Sequence, residues 1–179
     1  MGLVADPPVA VAAAVPDDGF EAVVRGNLAN LVRLAGVLCG DPVWAEDAVA
    51  EVFARLYRRW PLEGVVDLGA YLRRAVINEI NGGFRRRARA RRALDRHRAA
   101  ASRPASDEEV AERDRFWRLL VALPPRQRAV LALRYLDDLS EVRVAEVLAV
   151  PVGTVKSAAA RGLDRLRRLI EEEGDDAPK

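Results

Sequence analysis

Apolar residues recur at three- and four-residue steps along most of the chain, the spacing of helices that bury one face. Phe20, Val23, Val24, Leu28, Leu31, Leu34, Ala35 and Leu38 predict a first helix over 20–38, ended by Gly40-Asp41-Pro42. WAEDAVAEVFARLYRRW predicts a second, with Val49, Val52, Phe53, Leu56 and Trp60 as its stripe and Pro61 as its stop. Its acids come early and its arginines late, the order the helix dipole favours. Asp67 is the expected N-cap of a third helix carrying Leu72, Val76, Ile77, Ile80 and Phe84. Gly82-Gly83 is expected to weaken or kink it, since glycine costs about 1 kcal/mol against alanine in a helix.

Residues 88–105 have no sustained stripe and read as linker, helical at most near the start. Ser106-Asp107-Glu108-Glu109 has the form of a capping box and opens a helix ending at Pro124-Pro125. A further helix covers 126–136. The last third reads as helix, tight turn, helix. Val142, Val144, Ala145, Val147 and Leu148 are the expected buried side of its first helix, and Val155, Ala159, Leu163, Leu166 and Ile170 that of its second. The opposite face of the second carries Lys156, Ser157, Ala160, Arg161, Asp164 and Arg165. A polar, basic helix held by a preceding one across a tight turn is a helix-turn-helix, whose second helix fits a major groove about 12 Å wide.

The fold class expected is therefore all-α, two small helical domains joined by a flexible linker, the C-terminal one a helix-turn-helix. Charge sharpens this picture. Residues 1–72 carry a net −5, residues 73–103 a net +9 and residues 104–179 a net −2. The middle of the chain suits a polyanion, although a solvated arginine-rich linker has the same composition. The apolar start, MGLVADPPVAVAAAVPDDG, lacks a basic leader and is broken by Pro and Asp, so 1–18 is expected to be a disordered tail. No uninterrupted apolar run approaches the ~20 residues of a membrane span, and no membrane insertion is expected.

One cysteine, Cys39, and one histidine, His97, cannot assemble a soft-ligand metal site. No phosphate-cradling glycine loop and no nucleophile–base pattern is present. No enzyme activity, catalytic residue, metal or cofactor is expected. Trp60, Tyr71 and Phe84 suit either base stacking or a helical core, and the spacing favours core.

AEDAVAEVFARLYRRW, AYLRRAVINEI with Arg85-Arg86-Arg87, ALPPRQRAVLALRYLDDLS and VPVGTVKS, taken in that order, resemble the extracytoplasmic-function branch of the sigma-70 family, in an actinobacterial form. The likeness runs from about residue 20 to 170. It implies a sigma factor that binds core RNA polymerase and directs promoter recognition, with 19–92 as region 2, 93–105 as linker, 106–172 as region 4 and 173–179 as an acidic tail. Glu46, Asp47, Val49 and Glu51 would then meet the β′ clamp helices. Arg73, Arg74, Asn78, Arg85 and Arg86 would meet the −10 region. Thr154, Lys156, Ser157, Arg161 and Arg165 would read the −35 element while region 4 packs on the β flap. An anti-sigma partner is a further implication, and the single cysteine fits a cytoplasmic location. Ala50, Ala149 and Ala158 stand where the family commonly has Gln, Gly and Arg. The alternative from the residues alone is a free-standing helix-turn-helix regulator, which leaves the acidic helix and ALPPRQR without a role.

Overall fold

A computed structural model describes residues 19–94 and 118–175, with side chains to 89 and 172. The expected tail 1–18, the linker 93–105 beyond residue 94 with His97, and the capping box at Ser106 lie outside the described residues. Among those described, every regular element is helical.

α1 (Phe20–Cys39) ends where Gly40 turns left-handed at φ 71° and returns its N–H to Gly36 O at 2.7 Å. A side chain at Gly40 would also collide with Val121 Cγ2, 2.6 Å from an added Cβ. Asp41 then caps α2 (Pro42–Tyr57) by accepting from Trp44 N at 3.0 Å, with Pro42 at the first turn, where its missing N–H costs nothing. Asp67 caps α3 (Leu68–Leu94) as expected, accepting from Ala70 N at 2.8 Å. Leu34, Val49, Leu56, Leu72, Val76 and Ile80 fill the space between these three helices and are fully buried.

The expected break at Gly82-Gly83 does not occur, and α3 runs through both. Gly83 is buried against Trp44, and a Cβ there would stand 2.4 Å from the indole Cζ2. The glycine lets an aromatic ring reach the helix backbone. Trp44 packs edge-on against Phe84, centroids 4.8 Å apart at 74°, and Arg87 lies 3.6 Å over its ring.

Residues 118–121 are helical and lead through Leu123 to α4 (Pro125–Tyr135), α5 (Glu141–Leu148) and α6 (Val152–Asp175). Ser140 caps α5 by accepting from Arg143 N at 3.2 Å. Ala149, where the family commonly has glycine, takes the left-handed turn between α5 and α6 at φ 52°. Four residues of the expected apolar faces are exposed: Leu28 of α1 at 44%, Val142 at 55%, Leu163 at 40% and Ile170 at 47%. Val142 lies two residues, or about 200° of helix, from buried Val144. On α6 the inner stripe is Val155, Ala158 and Gly162, one position round from the expected set, with Leu166 and Leu169 continuing it at the margin. Small residues are required there because Leu131 Cδ1 lies only 3.0 Å from where a Gly162 Cβ would be.

The two helical units share one apolar core. α1 touches α4, and α3 touches α5. Arg128, 4% exposed, sits at this junction. Its guanidinium donates to Leu38 O, Val121 O and Leu123 O and lies 5.2 Å over Phe84. Burial alone lowers its affinity for the proton, and three carbonyl acceptors take the place of water. α1 is long and apolar enough to cross a membrane by composition, but Leu31, Leu34, Ala35, Val37, Leu38 and Cys39 bury its inner face in this core.

Candidate nucleic-acid interface

The outer face of α6 carries the residues expected to enter a groove. Lys156, Arg161 and Arg165 are exposed, and Thr154 and Ser157 are half-buried beside them. Ser157 Oγ donates back to Thr154 O at 3.1 Å and accepts from Arg161 Nη2 at 3.2 Å, so 154, 157 and 161 form one ordered strip. Lys156 reaches across to Glu141 of α5 at 3.8 Å. Ala158 is 1% exposed and sits on the inner face, so it is no part of this strip.

On α3 the expected arginines divide. Arg85 and Arg86 are exposed near its basic end, Arg86 paired with Glu79 at 2.6 Å. Arg55 holds the same carboxylate at 2.7 Å from α2. Burial pushes the Glu79 carboxyl up, but the two guanidinium partners outweigh it, and the group ends below the usual range. Arg73 and Arg74 point instead at the C-terminal unit. Arg73 Nε binds the Asp137 carboxylate at 2.7 Å, while Arg74 donates to Val147 O at 2.7 Å and to Glu146 O. Asn78 lies in a cleft of about 340 Å³ between the units, with Asn81, Phe84, Arg85, Arg126 and Val150 among its walls.

The outer face of α2 presents Glu46, Asp47 and Glu51, but Val49 does not join them. Val49 is 0% exposed and belongs to the core between α1 and α3, because it shares the inner row with Ala45, Val52 and Phe53. Its place on the surface is taken by Val43, 70% exposed, with Ala50 and Ala54. Cys39 is buried, as expected, and its thiol is pushed up chiefly by that burial. No cluster of potential metal ligands occurs among the described residues.

Sequence reasoning passed over Asp137 and Arg143. Asp137 sits two residues beyond α4, its side chain 2% exposed, and Arg143 of α5 bonds Asp67 at the start of α3. That bond comes second to the Ala70 N–H in holding the Asp67 carboxyl below its ordinary value. Nothing in the periodicity marks either residue. The only signal was their charge beside a turn.

Residues 23–90 match the sigma-70 region 2 family and residues 113–166 the sigma-70 region 4 family. The RNA polymerase sigma-E factor of Streptomyces avermitilis is 36% identical over 161 residues, covering 88% of each chain. The chain belongs to the extracytoplasmic-function branch of the sigma-70 family. The Streptomyces coelicolor sigma-E factor is also 36% identical, over 154 residues, covering 84% of this sigma factor and 85% of the relative. Two solved folds are similar. One is the sigma factor RpoE with the anti-sigma factor NepR from Bartonella quintana, at 24% identity and TM-score 0.68, covering 85% of this chain and 96% of that one. The other is CnrH with the cytosolic domain of CnrY, at 21% identity and TM-score 0.64, covering 88% and 89%. This sigma factor directs RNA polymerase in transcription initiation, and its partners are the core enzyme and promoter DNA.

Proposed function

We propose that three faces divide this work. The outer face of α6, through Thr154, Lys156, Ser157, Arg161 and Arg165, reads the −35 element in the major groove. Arg73, Arg74, Asn78, Arg85 and Arg86 of α3 serve the −10 region, and Glu46, Asp47 and Glu51, joined by Val43, dock on the β′ clamp helices. Residues 19–92 then act as region 2 and 106–172 as region 4, the latter also meeting the β flap. The factor is a non-enzymatic, cytoplasmic subunit, and an anti-sigma protein is its counterpart in regulation.

The observation that carries this reading is the ordered polar strip on α6, presented across the α5–α6 turn. Guanidinium and ammonium groups at that spacing suit base edges and phosphates. Two reading heads gain affinity when the polymerase fixes their separation. A free-standing regulator is not favoured, because it gives no task to residues 23–90, which match region 2. Run-off transcription with purified core polymerase on a promoter library provides the test. New starts sharing spaced −35 and −10 sequences are expected, and Lys156→Ala with Arg161→Ala should relax the −35 preference while leaving core binding intact. No added starts would refute it.

A further inference from the structure

Apart from the buried Arg128, polar contacts between the two units converge on the surface assigned to the −10 region. Asp137, in the turn after α4, is the centre. One carboxylate oxygen accepts from Arg73 Nε at 2.7 Å. The other, buried and without a hydrogen bond among the described residues, faces Arg33 of α1 at 3.9 Å. Arg33 also donates to Leu136 O at 3.4 Å. At the next residue of α3, Arg74 spends its guanidinium on Glu146 O and Val147 O, carbonyls at the C-terminal end of α5, where a cation meets the negative end of the helix dipole. At the rim, Arg143 of α5 bonds Asp67, the cap of α3.

We infer that these contacts form a latch centred on Asp137, which holds the free sigma factor closed by engaging its own α3 arginines with the C-terminal unit. The inference rests on the assignment of Arg73 and Arg74 to promoter DNA. A phosphate and the Asp137 carboxylate compete for the same guanidinium, because each presents a pair of anionic oxygens that its fork of donors can hold. The carbonyls at the end of α5 compete likewise for Arg74. The closed form and the DNA-bound form are thus mutually exclusive, and binding affinity falls by the fraction of molecules that are open. Asp137 acts as a built-in stand-in for a DNA phosphate. The latch is polar and acts beside the apolar packing that α1 shares with α4 and α3 with α5.

The test is an electron–electron distance measurement on the full chain carrying Cys39→Ser, with nitroxides on Ala22→Cys and Arg167→Cys, both exposed positions away from the latch. The parent should give one short, narrow distance distribution. Asp137→Asn keeps the side-chain volume and removes the charge, and Arg143→Gln breaks the rim pair at an exposed site where folding is not at stake. Each should add a longer, broader population. Binding of a fluorescent single-stranded −10 oligonucleotide to Asp137→Asn, without polymerase, should tighten by about tenfold if a tenth of the parent molecules are open. Charge reversal by Arg73→Asp with Asp137→Arg should restore the short distance. Unchanged distances in both single variants would overturn the latch. Longer distances with unchanged oligonucleotide affinity would overturn the inference that the latch withholds the DNA-binding arginines. Run-off transcription by the unmutated factor, assayed in parallel, tests the sigma reading by itself.

Discussion

Two adjacent glycines in α3 should respond to the same substitution with opposite signs. At Gly82 an added Cβ would meet only the ends of arginine side chains, Arg86 Nη1 being nearest at 3.3 Å. That guanidinium can move, so Gly82→Ala should stabilise by up to about 1 kcal/mol, the helix-propensity gap between the two residues. At Gly83 the same methyl lands 2.4 Å from Trp44 Cζ2, where carbon atoms prefer roughly 3.5–4.0 Å. The indole cannot yield freely, because Phe84 packs against it and Arg87 covers its face. The ring or the helix must shift by about 1 Å, and overpacking of that kind costs about 1–3 kcal/mol. Loss of the Trp44–Phe84 geometry adds about 0.5–1.5 kcal/mol. After the propensity gain, Gly83→Ala should destabilise by about 1–2 kcal/mol, leaving the two variants about 2–3 kcal/mol apart. Urea unfolding followed by far-UV circular dichroism measures both free energies, and at this chain length each kcal/mol moves Tm by about 2–4 °C. If both variants shift the same way, close packing of Trp44 on α3 is not why the glycine is there.

Other outcomes follow from the same contacts. Val49→Ala should cost about 2 kcal/mol of stability through lost burial and a cavity, whereas Glu46→Ala with Asp47→Ala should leave the urea midpoint unchanged and weaken core-polymerase binding in a pull-down titration. Glu79, held below its ordinary value of 4.5, stabilises the fold above that pH. Its contribution is lost as pH falls through the lower folded-state value, so Glu79→Gln should flatten the acid limb of the stability profile measured between pH 5 and pH 2, on the order of the window where a depressed carboxylate titrates. Replacing Arg161 by Ala should cost about 1–3 kcal/mol in binding to a preferred −35 duplex by the polymerase complex, and replacing Arg165 should lower the salt slope if it contacts phosphate.

The helices were legible because each has local reasons to form. Apolar steps of three and four mark the buried faces of α1, α2 and α3, and Gly40-Asp41-Pro42 and Asp67 mark ends that the backbone itself demands. The groove-facing strip of α6 was legible for the same reason, since polarity opposite an apolar face is a one-dimensional pattern. Where the reading slipped, the missing information was a neighbour. The inner row of α6 passes through Ala158 and Gly162, small residues that a hydrophobicity pattern passes over but that close approach of α4 requires. Val49 stood in the apolar stripe by its spacing and at the clamp interface only by the family resemblance, and its burial bears out the spacing.

The chain alone therefore determined an all-helical protein with a helix-turn-helix and a concentrated positive segment, because propensity, capping and periodicity act over a few residues. Only the tertiary structure decided how those pieces meet. Gly83 against Trp44, Arg128 on the Leu38 carbonyl, and Asp137 between Arg33 and Arg73 join residues 39 to 104 positions apart. Such contacts depend on which faces are brought together, and no local pattern of charge or hydrophobicity records that choice.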